Sequence, residues 1–164
     1  MNLSLTLSLR TDENPEYVIE KYSSLVYKLA FTQTKSKSDA DDVFQEVFLQ
    51  YIKSRKTFES EDHRKAWLIR VTVNSCKTLQ KSAYRRHSIP LDENYVFEVK
   101  KENELYQVLK ELPLKYRTVL HLFYYEDLQI EKISKILKIS QNLVRMQLTR
   151  ARGLLKEKLK GDFD

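Results

Sequence analysis

The stretch from Leu128 to Leu159 constrains the fold more than any other, because its spacing is that of two helices separated by a short turn. In the first helix apolar residues recur at helical intervals, at Ile130, Ile133, Ile136 and Leu137. Ser140 is a good N-cap for a second helix. That helix has one inward apolar stripe, formed by Val144, Leu148, Ala151, Leu155 and Leu159. The stretch therefore predicts a helix-turn-helix.

The outward face of the second helix has the composition of a DNA-reading surface. At about 100° per residue, its crest is formed by Asn142, Met146, Thr149 and Gly153. Arg145, Arg150 and Arg152 flank the crest. Such a helix fits a major groove, where the crest reaches base edges and the guanidinium groups reach phosphates. A solvated basic face on an ordinary helical hairpin is the alternative.

The whole chain has a helical pattern and a basic balance. Only two Gly and three Pro occur in 164 residues, and the apolar spacing is helical nearly throughout, which predicts an all-α fold. The length is enough for one compact domain or two small ones, and the linker described below favours two small helical domains. The net charge of +6 favours a polyanionic partner without identifying it. The single cysteine, Cys76, excludes a disulfide framework and fits a reducing cytoplasm, where it would fill a partly buried position.

Residues 1–13 are expected to form a loose tail ahead of a first domain at 14–86. Leu alternates with polar residues there, as in an edge strand, but the stretch is too short and lacks the leading basic residues of a signal peptide. Nothing later approaches the roughly 20 apolar residues of a membrane span, so no membrane insertion is expected.

The first domain is predicted to contain three helices. The first spans about 15–34, with Asn14 as its cap and a Pro at the first helical position. Ser38 and Asp41 approximate a capping box for the second helix, and the third spans about 64–81. The inward apolar residues are Val18, Ile19, Tyr22, Leu25, Val26, Leu29 and Ala30, then Ala40, Val43, Phe44, Val47, Phe48 and Tyr51, then Trp67, Leu68, Val71 and Leu79.

The outer face of the second helix is acidic, although the protein is basic. Four carboxylates cluster there without a basic residue among them: Asp39, Asp41, Asp42 and Glu46. The helix dipole favours carboxylates in the first turn, which explains the aspartates but explains Glu46 poorly. Gln45, Glu46 and Leu49 are therefore candidates for contact with a partner.

The third helix contains Asn74 and leads into a basic run. A mid-helix Asn is a mediocre helix former and needs a hydrogen-bond partner if it is buried. The run that follows includes Tyr84 and no acidic residue, and consists of Lys77, Lys81, Arg85, Arg86 and His87. Basic residues interleaved with an aromatic fit a nucleic-acid strand. A basic helix end that complements the helix dipole is the alternative.

A linker is predicted at 87–100, where a Pro occurs and no helical period is visible, and a second domain follows at 101–160. One helix, which stops at Pro113, has a stripe formed by Leu105, Val108, Leu109 and Leu112. The next has a stripe formed by Tyr116, Val119, Leu120 and Phe123. With the helix-turn-helix, these two make a four-helix module.

Three segments of the chain, taken in order, resemble bacterial RNA polymerase sigma factors of the extracytoplasmic function (ECF) group of the sigma-70 family. They are DADDVFQEVFLQYI, AWLIRVTVNSCK and ELPLKYRTVLHLFYYEDLQIEKISKILKISQNLVRMQLTRAR. The resemblance implies a two-domain transcription initiation factor. The first domain, similar to sigma region 2, would dock on core RNA polymerase and help to open the −10 element of promoter DNA. The second, similar to region 4, would read the −35 element, and the linker matches the missing region 3 of the ECF group.

The resemblance also implies roles for individual residues. Those at the family's polymerase-docking positions are Asp42, Gln45, Glu46 and Leu49. Asn74 falls where the family helps to hold a base flipped from the −10 strand, beside the basic residues Lys77, Lys81, Arg85 and Arg86. The −35 bases would be read by Arg145, Met146, Thr149 and Arg150. Near phosphates would lie Ser140, Asn142 and Arg152.

The chain departs from the family pattern at two places. The family usually has Gly in the turn where this chain has Lys138, which predicts either a left-handed Lys138 at a cost of about 1 kcal/mol or a different turn. After Asn74 the family commonly has an Asp and more Arg, whereas this chain has Ser75 and Cys76, which leaves the details of strand capture open. The promoter sequence does not follow from these residues.

Other classes of function are alternatives to a sigma factor. A two-domain DNA-binding regulator that never contacts polymerase is the main alternative, and a helical adaptor is another. An enzyme is the least favoured, because His63, His87 and His121 are scattered and no Cys or His has metal spacing. Neither Gly153 nor Gly161 belongs to a phosphate loop, and no cofactor is expected. By family analogy, an anti-sigma factor would cover the docking and DNA faces.

Overall fold

The structure is a computed structural model that describes residues 14–85 and 104–161. The regular elements in these ranges are helices, as the sequence predicted. The chain divides into two compact units between Leu91 and Asp92. The predicted tail and the predicted linker at 87–100 lie outside the described residues.

The first unit consists of α1 (Pro15–Thr34), α2 (Lys37–Ser54) and α3 (Glu61–Arg85), and each helix packs against the other two. Its buried residues include Val18, Tyr22, Val26, Leu29, Ala30, Ala40, Val43, Val47, Phe48, Tyr51, Leu68, Ile69, Val73 and Cys76. The predicted inward faces are therefore confirmed for the centre of the core. At its edge lie predicted core residues that are only partly buried, namely Ile19, Leu25, Phe44, Trp67, Val71 and Leu79.

The ends of these helices agree with the predictions in part. Asn14 caps α1, since its Oδ1 accepts a hydrogen bond from the backbone N–H of Tyr17 at 3.2 Å. The predicted cap of α2 at Ser38 is wrong: Ser36 caps this helix and accepts the backbone N–H of Asp39 at 3.3 Å. The third helix begins at Glu61 rather than near residue 64 and continues to residue 85.

Glu61 connects the start of α3 to α1. Its carboxylate accepts hydrogen bonds from the Tyr22 hydroxyl at 2.5 Å, Arg64 Nη1 at 2.5 Å and Lys21 Nζ at 3.4 Å. The Arg64 side chain is only 1% exposed, and its guanidinium lies 5.6 Å from the centre of the Phe58 ring. Burial raises the pKa of Glu61, but the hydrogen bond from Tyr22 and the two cations outweigh burial, so the pKa is lowered. This carboxylate therefore compensates a buried positive charge.

The second unit consists of α4 (Glu104–Glu111), α5 (Leu114–Leu120), a π-helical turn (His121–Tyr125), α6 (Ile130–Leu137) and α7 (Gln141–Gly161). The last helix packs against α4, α5 and α6. Its buried apolar residues include Val108, Leu112, Tyr116, Val119, Leu120, Leu122, Ile133, Ile136, Val144, Leu148 and Ala151. The predicted four-helix module is thus confirmed.

The π-helical turn was not predicted, and it changes which side chains face the core. The backbone N–H of Glu126 donates to the carbonyl of His121 at 3.0 Å, a wider turn than in an α-helix. As a result Leu122 is fully buried, whereas Phe123, which was expected on the inward stripe, is only half-buried. Tyr124 stands further out, with 60% of its surface exposed.

The turn between α6 and α7 is closed by Lys138 in a left-handed conformation, with φ of 56° and ψ of 45°. Its N–H donates to the carbonyl of Ser134, and the Ser134 hydroxyl donates to the carbonyl of Ile139 at 2.5 Å. Of the two expectations for this turn, the strained backbone is therefore the correct one. Lys35 and Arg55 end α1 and α2 in the same conformation.

Lys138→Gly tests this strain. We expect the substitution to raise the free energy of unfolding by about 0.5–1 kcal/mol, because glycine has no Cβ to oppose a positive φ, although its freer unfolded chain offsets part of the gain. Lys132→Gly, at an exposed position inside α6, is the control and should lower the same quantity by about 1 kcal/mol. Urea denaturation followed by circular dichroism measures both, and a Lys138→Gly variant less stable than wild type would contradict the account.

Glu61→Gln tests the connection between α1 and α3. We expect it to lower the free energy of unfolding at pH 7 by about 1–2 kcal/mol, because the buried Arg64 guanidinium loses its carboxylate. This figure is below that for a fully buried pair, since the Glu61 side chain is 40% exposed. Glu59→Gln, at an exposed position just before α3, is the control and should change stability by less than about 0.5 kcal/mol.

The loss of stability caused by Glu61→Gln should depend on pH. Because folding lowers the pKa of Glu61, its carboxylate stabilises the fold above its ordinary value of 4.5, and this contribution is lost as the pH falls through the folded pKa. The difference between wild type and Glu61→Gln should therefore shrink steadily when denaturation is repeated below about pH 4.5. A difference that stays constant with pH would show that the charge is not responsible.

Candidate partner and nucleic-acid interfaces

The outer face of α2 presents the four predicted docking residues to solvent. They form one exposed stripe at helical spacing, the docking stripe, made of Asp42, Gln45, Glu46 and Leu49. Glu46 accepts a hydrogen bond from Gln50 Nε2 at 2.8 Å, which orients its carboxylate along the helix. Leu49 is 48% exposed, and Ile52, one turn further on, is 46% exposed. Carboxylates therefore stand beside two large apolar side chains that the core of this unit does not cover.

The exposure of Ile52 was not predicted from the sequence, although the helical pattern indicates it. The inward stripe of α2 ends at Tyr51, which is fully buried, so an adjacent isoleucine must point away from the core. It lies three residues after Leu49, on the same side of the helix. The exposed apolar end of the docking stripe is therefore larger than the sequence analysis predicted.

The acidic cluster of α2 is exposed except at its first residue. Asp41, Asp42 and Glu46 are exposed, and Asp39, in the first turn, is half-buried. Burial, together with the charge of Asp42, raises the pKa of Asp39. Cys76 on α3 is fully buried rather than partly buried, and burial, with the charge of Asp39, raises the pKa of its thiol to about 12. Its thiol is therefore protonated and unreactive at neutral pH.

One face of α3 carries an exposed amide and exposed amines. Asn74, Lys77 and Lys81 are all exposed and recur at helical spacing. The Asn74 side chain faces solvent, so the buried hydrogen-bond partner considered from the sequence is not required. Arg85 is the last residue of α3, and Arg86 lies outside the described residues. A polar amide followed by cations on one face can bind a nucleic-acid strand through base edges and phosphates.

The outward face of α7 exposes each side chain that the sequence placed on it. These residues are Asn142, Arg145, Met146, Thr149, Arg150, Arg152 and Gly153. Ser140 precedes the helix, and its Oγ accepts the backbone N–H of Leu143 at 3.1 Å, which confirms it as the cap. Met146 is 43% exposed, so the crest of the helix includes a large apolar side chain. A thymine methyl group is the base feature that such a side chain contacts best.

Arg145 is held over the first turn of α7 by two amides. Its Nη1 donates to Asn142 Oδ1 at 3.1 Å, and its Nη2 donates to Gln141 Oε1 at 3.4 Å. Both bonds are exposed to solvent, so their net contribution to stability is small and they can exchange for bonds to a ligand. The guanidinium therefore lies at the N-terminal end of the second helix, the part that contacts base edges in helix-turn-helix proteins.

Arg152 has a partner that the sequence analysis missed. Its Nε donates to the hydroxyl oxygen of Tyr124 at 2.5 Å, which joins α7 to the π-helical turn. The guanidinium also lies 5.5 Å from the centre of the Phe123 ring and 5.4 Å from that of Tyr124. The sequence feature that indicates an exposed aromatic residue here is the pair Tyr124 and Tyr125. The apolar stripe that continues from α5 cannot bury two aromatic residues in succession.

The histidines of the described residues serve local structure. His63 Nδ1 accepts the backbone N–H of Glu59 at 3.2 Å, and the His121 ring stacks on Tyr125 with 4.8 Å between the ring centres. Within residues 14–85 and 104–161, no three His, Cys, Asp or Glu side chains are grouped to bind a metal ion. In the same ranges, no helix has the length and apolarity to cross a bilayer.

Two family models match the chain, one in each unit. The Sigma-70 region 2 model matches residues 18–87, and the model for Sigma-70, region 4 matches residues 102–155. Among curated proteins, the chain is 30% identical over 139 residues to the RNA polymerase sigma factor SigV of Bacillus subtilis, covering 81% of this chain and 83% of that protein. It is 31% identical over 152 residues to the ECF RNA polymerase sigma factor SigM of the same organism, covering 85% and 91%.

Solved structures with the same fold include two protein complexes. The sigma factor RpoE of Bartonella quintana, in complex with the anti-sigma factor NepR, superposes with a TM-score of 0.75 at 16% identity, over 88% of this chain and 96% of that one. CnrH, in complex with the cytosolic domain of CnrY, superposes with a TM-score of 0.67 at 20% identity, over 90% and 88%. At these identities the two structures support the fold.

Proposed function

The chain belongs to the ECF group of the sigma-70 family of bacterial RNA polymerase sigma factors, and from this premise we propose how its residues share the work of promoter selection. It is an alternative sigma factor, a transcription initiation factor that combines region 2 and region 4. We propose that it has no catalytic activity of its own. A regulator that acts without polymerase is not favoured, because such a protein would have no use for region 2.

Core polymerase would bind the docking stripe of α2. The observation that supports this role best is the exposed combination of acidic and apolar side chains, at Asp42, Gln45, Glu46 and Leu49, in a protein whose net charge is +6. Clustered carboxylates repel DNA phosphates, so this face suits a protein partner. The large exposed side chains of Leu49 and Ile52 would supply apolar area at the contact.

Promoter opening would be assisted by the exposed face of α3. Asn74 would bind a base turned out of the −10 duplex, and the strand backbone would contact the cations of the basic run, Lys77, Lys81, Arg85 and Arg86. Unstacking a base costs a few kcal/mol, so a surface that captures the separated strand shifts the equilibrium toward the open state. Free amide and amine groups on one helix face fit that requirement.

The −35 element would be read by α7. Base edges would be contacted from its crest by Arg145, Met146, Thr149 and Arg150. Phosphates would be contacted by Ser140, Asn142 and Arg152. The exposed N-terminal turns of α7 and the guanidinium groups on its outward face support this division between base reading and backbone contact.

We also propose how this chain is held inactive and where its domains begin and end. RpoE and CnrH were solved with NepR, an anti-sigma factor, and with the cytosolic domain of CnrY. We propose that an anti-sigma factor likewise holds this chain inactive by covering the docking stripe and the DNA-facing helices. The region 2 domain would span 14–86 and the region 4 domain 101–160, joined by a linker at 87–100, and the protein would act in the cytoplasm.

Glu46→Lys should weaken binding to core polymerase at least about tenfold, because a positive charge replaces the carboxylate at the centre of the docking stripe. The measurement is a titration of the chain, labelled at its N-terminus, with purified bacterial core polymerase. Glu20→Lys makes the same charge change at an exposed position on α1, outside the stripe, and should bind as wild type does. Equal affinities for all three proteins would contradict the docking assignment.

Arg145→Ala should leave core binding unchanged but reduce promoter-specific transcription by about 10- to 100-fold, the effect of losing one good base contact. Run-off transcription from fragments that give discrete starts with the wild-type chain provides the measurement. Lys156→Ala removes an exposed cation of α7 outside the reading crest and should reduce the yield far less. If Arg145→Ala keeps the wild-type starts and yield, this residue does not read the promoter.

A further inference from the structure

The hydroxyl of Tyr124 is tied to Arg152, and no role in DNA binding has been assigned to this tyrosine. We infer that Tyr124 positions the Arg152 guanidinium, and that the two side chains form one contact with a DNA phosphate. This inference rests on the proposed DNA-reading role of α7. It adds a residue from the π-helical turn to a surface that the sequence places on α7 alone.

The geometry of the Arg152 guanidinium favours this role. Arg152 Nε donates to the Tyr124 hydroxyl oxygen at 2.5 Å, so the side edge of the guanidinium is already bonded to the protein. Its two terminal amino groups are the part that remains for a ligand, and such a pair matches two oxygens of one phosphate. The Phe123 and Tyr124 rings lie within 5.5 Å and 5.4 Å of the guanidinium carbon and restrict how the group can turn. Tyr124 therefore orients the two terminal amino groups of Arg152, which would otherwise be mobile.

The chemistry of the Tyr124 phenol favours the same role. The Tyr124 oxygen accepts from Arg152, which leaves its own O–H to donate in turn. Tyr124 is 60% exposed and Arg152 is exposed, so a phosphate can approach both groups. Tyrosine hydroxyls are among the side-chain groups that bond to DNA phosphates. An exposed hydrogen bond of this kind makes only a modest net contribution to folding stability.

The neighbouring tyrosine provides a matched comparison. Tyr125 follows Tyr124 in the same turn and is almost equally exposed, at 56%. Its ring stacks on His121. Removing the hydroxyl of Tyr125 therefore changes the same chemical group one residue away, without removing the Arg152 contact.

The experiment measures binding of the full chain to a mixed-sequence DNA duplex of about 20 base pairs, at several salt concentrations from about 50 mM. A mixed sequence suffices because phosphate contacts are independent of sequence. Arg152→Ala should reduce the affinity and lower the slope of log affinity against log salt by about 1. Tyr124→Phe, which keeps the ring and its stacking, should weaken binding by about three- to tenfold, and Tyr125→Phe by less than about twofold.

The double variant separates positioning from an independent effect. If Tyr124 positions Arg152, Tyr124→Phe should weaken binding clearly less in the Arg152→Ala background than in the wild type, because only the bond from the phenol itself to the phosphate remains to be lost. An equal loss in both backgrounds, or no loss in the wild-type background, overturns the inference, as does failure of the full chain to bind the duplex at low salt. Circular dichroism and the thermal midpoint should be unchanged in Tyr124→Phe. Because polymerase is absent from this assay, its result does not depend on whether the docking proposal is correct.

Discussion

The burial of Val144, Leu148 and Ala151 fixes which side of α7 faces solvent. These three residues pack into the core formed with α4, α5 and α6, and a helix with one face anchored can present only the opposite face to a ligand. Arg145, Met146 and the other exposed residues owe their direction to that packing rather than to any contact of their own. The turn before α7 completes the arrangement, because the left-handed Lys138 ends α6 where Ser140 can cap the next helix.

In the first unit, too, the burial of one face of each helix fixes which side chains are exposed. The α2 helix buries Val43, Val47 and Tyr51 and therefore exposes the acidic and apolar docking stripe, while α3 buries Leu68 and Val73 and exposes Asn74 with two lysines. In the proposed function, these separate faces would allow a protein partner and a DNA strand to be bound at once. In the proposed function, two weak DNA contacts joined through a third body gain effective concentration on one promoter, so neither contact has to be tight.

Periodicity was sufficient to predict the helices, the centres of both cores and the exposed face of α7, because burial of one helix face is a local property of the sequence. It could not predict contacts between distant residues. Glu61 receives Tyr22, Lys21 and Arg64 only after α1 and α3 have packed together. The cap of α2 was misplaced because Ser36 and Ser38 both satisfy the local preference for a cap.

The π-helical turn shows a second limit of the pattern. Its wider turn moves Leu122 into the core and Phe123 partly out of it, which an ideal helical period cannot anticipate. The contact between Tyr124 and Arg152 depends on this shift and on the packing of α7 beside it.

The measurement that tests the central claim most directly is the permanganate reactivity of thymines in a promoter fragment, with core polymerase and the full chain added singly and together. The account predicts reactive thymines near the transcription start only when both are present, because docking, −35 reading and −10 strand capture must act on the same DNA. If the chain protects its duplex without polymerase, and core polymerase adds no reactive thymines, the protein is an ordinary DNA-binding regulator and the function assigned to its first unit is wrong.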